Sequence, residues 1–94
     1  MRIGILTLHL HLYGIASLKE KRSLVKHLIH KIQTVKNVSV AEIADQDDLT
    51  QTTLKIGYIS NDARITTSFL TKLAGKLNGN QRDYYLEDWK VEIL

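Results

Sequence analysis

Residues 17–36, SLKEKRSLVKHLIHKIQTVK, decide how this chain folds. Ser17 followed by Glu20 matches a capping box, in which the serine hydroxyl accepts from the Glu20 N–H and the glutamate carboxylate reaches back to the Ser17 N–H. Beyond it, Leu24, Val25, Leu28, Ile29, Ile32 and Val35 recur at spacings of three and four. That pattern predicts a helix over residues 18–36 with one apolar stripe facing a core. The same helix carries Lys19, Lys21, Arg22, Lys26, Lys31 and Lys36 against Glu20 alone. The whole chain has a formal net charge of only +3, so its positive charge is gathered on this element.

On the N-terminal side, residues 2–13 alternate and are rich in β-formers. Leu6, Leu8, Leu10 and Leu12 fall on one face; Ile3, Ile5, Thr7, His9 and His11 fall on the other. On the C-terminal side, residues 38–44 read as a short strand with Val38 and Val40 inward, and the run Asp45-Gln46-Asp47-Asp48 as a polar turn. A third strand over residues 53–60 puts Leu54, Ile56 and Tyr58 on one side. Ser60-Asn61-Asp62 offers cap residues for a second helix with Ile65, Phe69, Leu70, Leu73 and Leu77 inward. Asn78-Gly79-Asn80 stops that helix, and residues 82–94 close as a strand with Trp89, Val91 and Ile93 inward. The order β-α-β-β-α-β predicts an α+β, ferredoxin-like fold: a four-stranded antiparallel sheet with two helices on one face and the other face open.

Ninety-four residues without a linker, repeat or low-complexity tract make one domain over 1–94. Apolar residues at 44% and charged residues at 24% are globular values, which excludes a disordered chain. The absence of cysteine removes disulfides and thiolate metal sites and fits a reducing, cytoplasmic setting. No apolar h-region opens the chain and no run reaches spanning length, so neither a secretory signal nor a membrane partner is expected.

Catalytic patterns are scarce. His9 and His11 share a strand face, but His27 and His30 sit on the helix covering the opposite face, so no third metal ligand is evident. The aspartate run lacks the glycine and distal glutamate of a calcium loop. Ser60-Asn61-Asp62 reads as a helix cap, and no Gly-rich phosphate loop, nucleophile elbow or carboxylate pair is visible. No cofactor and no enzymatic activity are expected. The open face carries no base-stacking aromatic on its central strands, since Tyr58 has the opposite parity, which disfavours an RNA-recognition motif of the sheet-stacking kind.

What stands out is the helix start. Lys19, Lys21 and Arg22 lie in the first two turns, where the macrodipole disfavours cations by about 0.3–1 kcal/mol each. A docked phosphate reverses that sign. Lys19, Lys21, Arg22 and Lys26 are therefore the expected nucleic-acid-binding residues. Four to six phosphate contacts imply a log–log salt slope of about −3 to −5. The competing account is a solvated face partly neutralised by Glu42, Asp45 and Asp47. A second expectation is an interface for another copy or another protein, built from Ile3, Ile5, Ile43 and Ile59 on the open face.

Ser17-Leu18-Lys19-Glu20-Lys21-Arg22, Asn37-Val38-Ser39-Val40-Ala41-Glu42, Ser60-Asn61-Asp62 and the ending Glu92-Ile93-Leu94 together resemble the YlxP-like family, small bacterial proteins of unknown function. The resemblance spans essentially the whole chain and implies the same ferredoxin-like fold. Such proteins are often encoded beside translation factors and a ribosome-binding factor, which implies RNA or a ribosomal subunit as partner. It brings no catalytic residue. The chain departs from the family at Leu49, where a tryptophan is usual, and at Lys55, where a glycine is usual.

Overall fold

A computed structural model describes residues 1–78 and 82–94. The elements run β1 (Arg2–Leu12), α1 (Leu18–Gln33), β2 (Val38–Ala44), β3 (Gln51–Ser60), α2 (Ala63–Leu77) and β4 (Tyr84–Ile93). The strands form one antiparallel sheet in the order β2-β3-β1-β4, the ferredoxin-like arrangement. Alternation sends Leu6, Leu8, Leu10 and Leu12 of β1 and Leu54 and Ile56 of β3 under the helices. There they meet Val25, Leu28 and Ile32 of α1 and Leu70, Leu73, Ala74 and Leu77 of α2.

The start of α1 is built as its sequence dictates, with one change of partner. Ser17 Oγ accepts from the Glu20 N–H at 3.2 Å, but the Glu20 carboxylate reaches one residue further, to the Ala16 N–H at 3.0 Å. The helix also ends earlier than its apolar spacing suggests. Thr34 caps it, its hydroxyl turning back to the Lys31 carbonyl at 2.7 Å, and Asn37 takes a left-handed φ of 69° while its amide donates to the Ile59 carbonyl. The local Thr34 bond competes with helix propagation, and the Asn37 bond ties the chain to β3 instead. Lys36 consequently lies outside α1.

In α2, Asp62 is the cap, accepting from the Arg64 and Ile65 N–H groups. Ile65 is exposed, contrary to its expected inward position. Thr66 is buried in its place, its hydroxyl 2.6 Å from that of Ser60. The reason lies across the interface at Gly4, where the missing side chain lets Thr66 lie directly on β1. A methyl group at Gly4 would run into Thr66 Cγ2 and stand 2.8 Å from Leu70 Cδ1. Gly4→Ala is therefore expected to destabilise the fold by about 1–3 kcal/mol through overpacking. The check is a lowered denaturation midpoint with an unchanged denaturant slope; an unchanged midpoint would show that α2 can retreat freely. Among the later elements, Gly79 and Asn80 of the expected helix stop lie outside the described residues. Trp89 sits opposite Leu8 on the helix side of β4, an edge strand, and is only partly covered there.

Both edge strands carry an irregularity. In β2 the register shifts between Glu42 and Ala44, leaving Ile43 as the extra residue. In β4 His9 pairs with Asp88 but Leu10 pairs with Leu86, leaving Glu87 extra. One added residue inverts the faces of everything beyond it. Tyr84 thereby turns inward, and its hydroxyl donates to the Leu77 carbonyl at the end of α2. Tyr85 turns outward, directly opposite His11.

The turn between β2 and β3 is organised by two aspartates. Asp45 adopts a left-handed φ of 65°, and its carbonyl accepts from the Asp48 N–H. The Asp48 carboxylate takes three donors: the Thr50 N–H at 2.8 Å, the Thr50 hydroxyl at 2.7 Å and the Gln51 amide at 2.9 Å. These bonds, the Thr50 N–H foremost, lower its pKa from 3.8 to about 2. A depressed carboxyl stabilises the fold above its unfolded pKa and loses that contribution as pH falls toward the folded value. The Asp48 contribution should be complete above about pH 4 and fade toward pH 2. An NMR titration of the Asp48 carboxyl should show a midpoint near 2; a midpoint at the ordinary 3.8 would mean the turn does not close this way in solution.

Candidate functional site

Four of the cations expected to bind nucleic acid separate into two groups. Lys19, Arg22 and Lys26 are exposed and make no ion pair among the described residues. They lie at spacings of three and four, with His30 one turn beyond, and so form one solvent-facing stripe.

Lys21 does not belong to it. It is 1% exposed, sealed between α1 and the sheet. Its ammonium stands 3.5 Å from Glu42 Oε2 and donates to the Asp45 carbonyl. The same Glu42 oxygen accepts from the Thr52 hydroxyl at 2.5 Å. No phosphate can reach Lys21 without opening the core, so it is a structural residue. The signal was present in the sequence: Lys21, Val25, Leu28 and Ile32 continue one stripe at spacings of four, three and four. Glu42 likewise shares the inward parity of Val38 and Val40. A charge at an inward position must be buried with a compensating partner, but spacing within each element does not say that these two meet. Of the three acids expected to neutralise the helix, Glu42 alone forms an ion pair with it among the described residues.

On the open face, the expected isoleucines do not assemble into one patch. Ile3 and Ile59 are cross-strand partners at a groove of about 290 Å³ that also takes in Val38, Gly57 and Tyr58, and Ile5 pairs with Gly57 next to them. Ile43 stands at the bulge near Thr53, about 20 Å along the sheet from Ile59 by strand rise.

The two strand histidines have separate surroundings. Asp45 Oδ2 accepts from the Thr53 hydroxyl at 2.8 Å, so that hydroxyl has no second proton to give. His9 Nδ1, 3.2 Å from the Thr53 hydroxyl oxygen, is therefore the donor in that contact. Neighbouring Thr7 Oγ1 is buried and has no partner among the described residues.

His11 belongs instead to an aromatic cluster that alternation alone does not foresee. Its ring centroid is 5.1 Å from that of Tyr85 and 5.6 Å from that of Tyr13, and the two tyrosines are 5.7 Å apart. Counted back from Trp89 without the bulge at Glu87, Tyr85 would face the helices. Tyr58 does face them and stacks on Phe69, centroids 4.0 Å apart. Tyr13 also borders a groove of about 600 Å³ lined by Tyr13, Ile15, Lys19, Ser23, His27 and Asp83 among others. The groove, the aromatic cluster and the start of the cationic stripe therefore meet at one end of the molecule.

A family model described as a protein of unknown function, DUF503, matches residues 3–90. The chain belongs to this family. It is also similar to the uncharacterized protein YlxP of Bacillus subtilis (strain 168), with 38% identity over 56 residues. That match spans 60% of this chain and 60% of that protein. The family resemblance read from the Ser-Leu-Lys-Glu-Lys-Arg block is thus borne out. Within the block, the fold gives its residues different tasks: Ser17 and Glu20 cap α1, Lys21 anchors it to the sheet, and Lys19 and Arg22 face solvent. Among the described residues, no helix is long and apolar enough to cross a membrane.

Proposed function

We propose that this DUF503 protein is a non-enzymatic RNA-binding protein that docks phosphates on Lys19, Arg22 and Lys26. The carrying observation is that Lys19 and Arg22 in the opening two turns of α1, and Lys26 one turn further along the same stripe, make no ion pair among the described residues, whereas the fourth cation is buried and paired. A cation near a helix N-terminus is disfavoured by the macrodipole, and Glu20, the one acid of that turn, is occupied in capping. An arriving phosphate is favoured both by the side chains and by the helix end. The contacts are to backbone phosphate, so affinity is led by charge and only weakly by sequence.

Removing Lys21 from the contact set reduces the expected salt response. Three contacts give a log–log slope of about −2 to −3. Fluorescence anisotropy with a structured RNA should therefore show affinity falling roughly 15- to 65-fold between 50 and 200 mM salt. Binding that ignores salt, or no binding at low salt, overturns the proposal.

A further inference from the structure

The aromatic cluster and the 600 Å³ groove are not explained by phosphate contacts, and they narrow the class of RNA. Tyr13 and Tyr85 are 46% and 42% exposed, although burying a tyrosine ring is ordinarily favourable. They are held rather than loose: Tyr85 sits opposite His11 in the sheet, and the Tyr13 N–H donates to the Asp83 carbonyl at 2.9 Å. Exposed rings clustered on a fixed backbone beside a basic surface form a stacking platform, which suits any base because every base has a π-face.

The groove next to that platform is not a phosphate pocket. Lys19 and His27 line it, but so do the acidic residues Glu20 and Asp83. The Glu20 carboxylate is engaged by the Ala16 N–H. Asp83 repels a phosphate, whereas a carboxylate there accepts well from base N–H groups. The surface is thus divided. Phosphates fit the outer stripe of Lys19, Arg22 and Lys26, and a base with N–H donors fits between Tyr13 and Asp83.

A paired base presents neither its face nor its Watson–Crick edge, so this division suits an unpaired nucleotide. Resting on the RNA-binding reading above, we infer that the ligand is single-stranded RNA, with an unpaired base stacked on Tyr13 and Tyr85 and its flanking phosphates on the α1 stripe.

The test compares a single-stranded RNA 12-mer with a duplex of the same strand, using wild type, Tyr13→Ala, Tyr13→Phe and Tyr85→Ala. The single strand should bind more tightly than the duplex. Each alanine variant should weaken single-strand binding roughly 5- to 150-fold, with the salt slope unchanged, and Tyr13→Phe should retain it. Circular dichroism confirms that each variant is folded, and the phenylalanine variant keeps the question open to test if an alanine variant is not. Equal affinity for both RNAs with no effect of folded Tyr13→Ala or Tyr85→Ala overturns the stacking site but leaves RNA binding standing. Absence of salt-sensitive binding to either RNA overturns the underlying reading as well.

Discussion

Replacing Glu42 by alanine is expected to lower the unfolding free energy by about 3–5 kcal/mol, the range seen when one partner of a buried ion pair is removed. The change strands the Lys21 ammonium, which is 1% exposed, with only the Asp45 carbonyl as an acceptor. It also leaves the buried Thr52 hydroxyl without its acceptor. The converse change, Lys21→Ala, should sit at the lower end of the same range, because the Glu42 side chain is 19% exposed and can draw on water. The informative control is the joint change Lys21→Met with Glu42→Leu. Two apolar side chains of similar volume relieve both desolvation penalties, so this variant should recover most of the stability. Urea denaturation of the four proteins makes the comparison. A loss below about 1 kcal/mol for Glu42→Ala would mean that Lys21 reaches solvent, and its exclusion from the binding surface would have to be withdrawn.

The opposite pattern is expected when Lys19, Arg22 and Lys26 are all changed to glutamate. RNA affinity should fall by about 100-fold or more, since each phosphate contact carries on the order of 1 kcal/mol and repulsion replaces it. Stability should hold or rise slightly. All three side chains are exposed, and at positions 19 and 22, near the start of α1, an acid gains up to about 0.3–1 kcal/mol from the macrodipole. The paired outcome matters more than either half. Lost binding with an unchanged or raised melting temperature assigns these residues to the partner. Wild-type affinity in the folded triple variant would leave the stripe as a solvated face.

These two experiments separate residues that the bare sequence places side by side. Lys19, Lys21 and Arg22 are chemically alike and fall within four positions, and charge counting treats them as one patch. Helical geometry does not, because Lys21 continues the line of Val25, Leu28 and Ile32 while its neighbours point away. That much was legible from spacing alone. The identity of its partner was not, since Glu42 lies on another element and meets Lys21 only once α1 settles across β2 and β3.

The isoleucines and tyrosines carry a similar lesson. Strict alternation joined Ile43 to Ile3, Ile5 and Ile59, although strand length holds it far from them. Alternation counted back from Trp89 would likewise put Tyr85 on the helix side, where the extra residue Glu87 does not leave it. Nothing in Leu86-Glu87-Asp88 announces a bulge, because a bulge is a compromise among the strands it joins and the core they must cover.

The sequence by itself determined the order of the elements, the helix start at Ser17, the apolar stripe of α1, the Leu face of β1 and the family. Each rests on a period or a cap that neighbouring residues define among themselves. Tertiary structure alone decided that Lys21 is sealed against Glu42, that Thr66 replaces Ile65 in the core above Gly4, and that Tyr13, His11 and Tyr85 gather beside the cationic stripe. Those outcomes depend on which surfaces meet across the sheet and on a single-residue slip at its edge, and neither is encoded in local spacing.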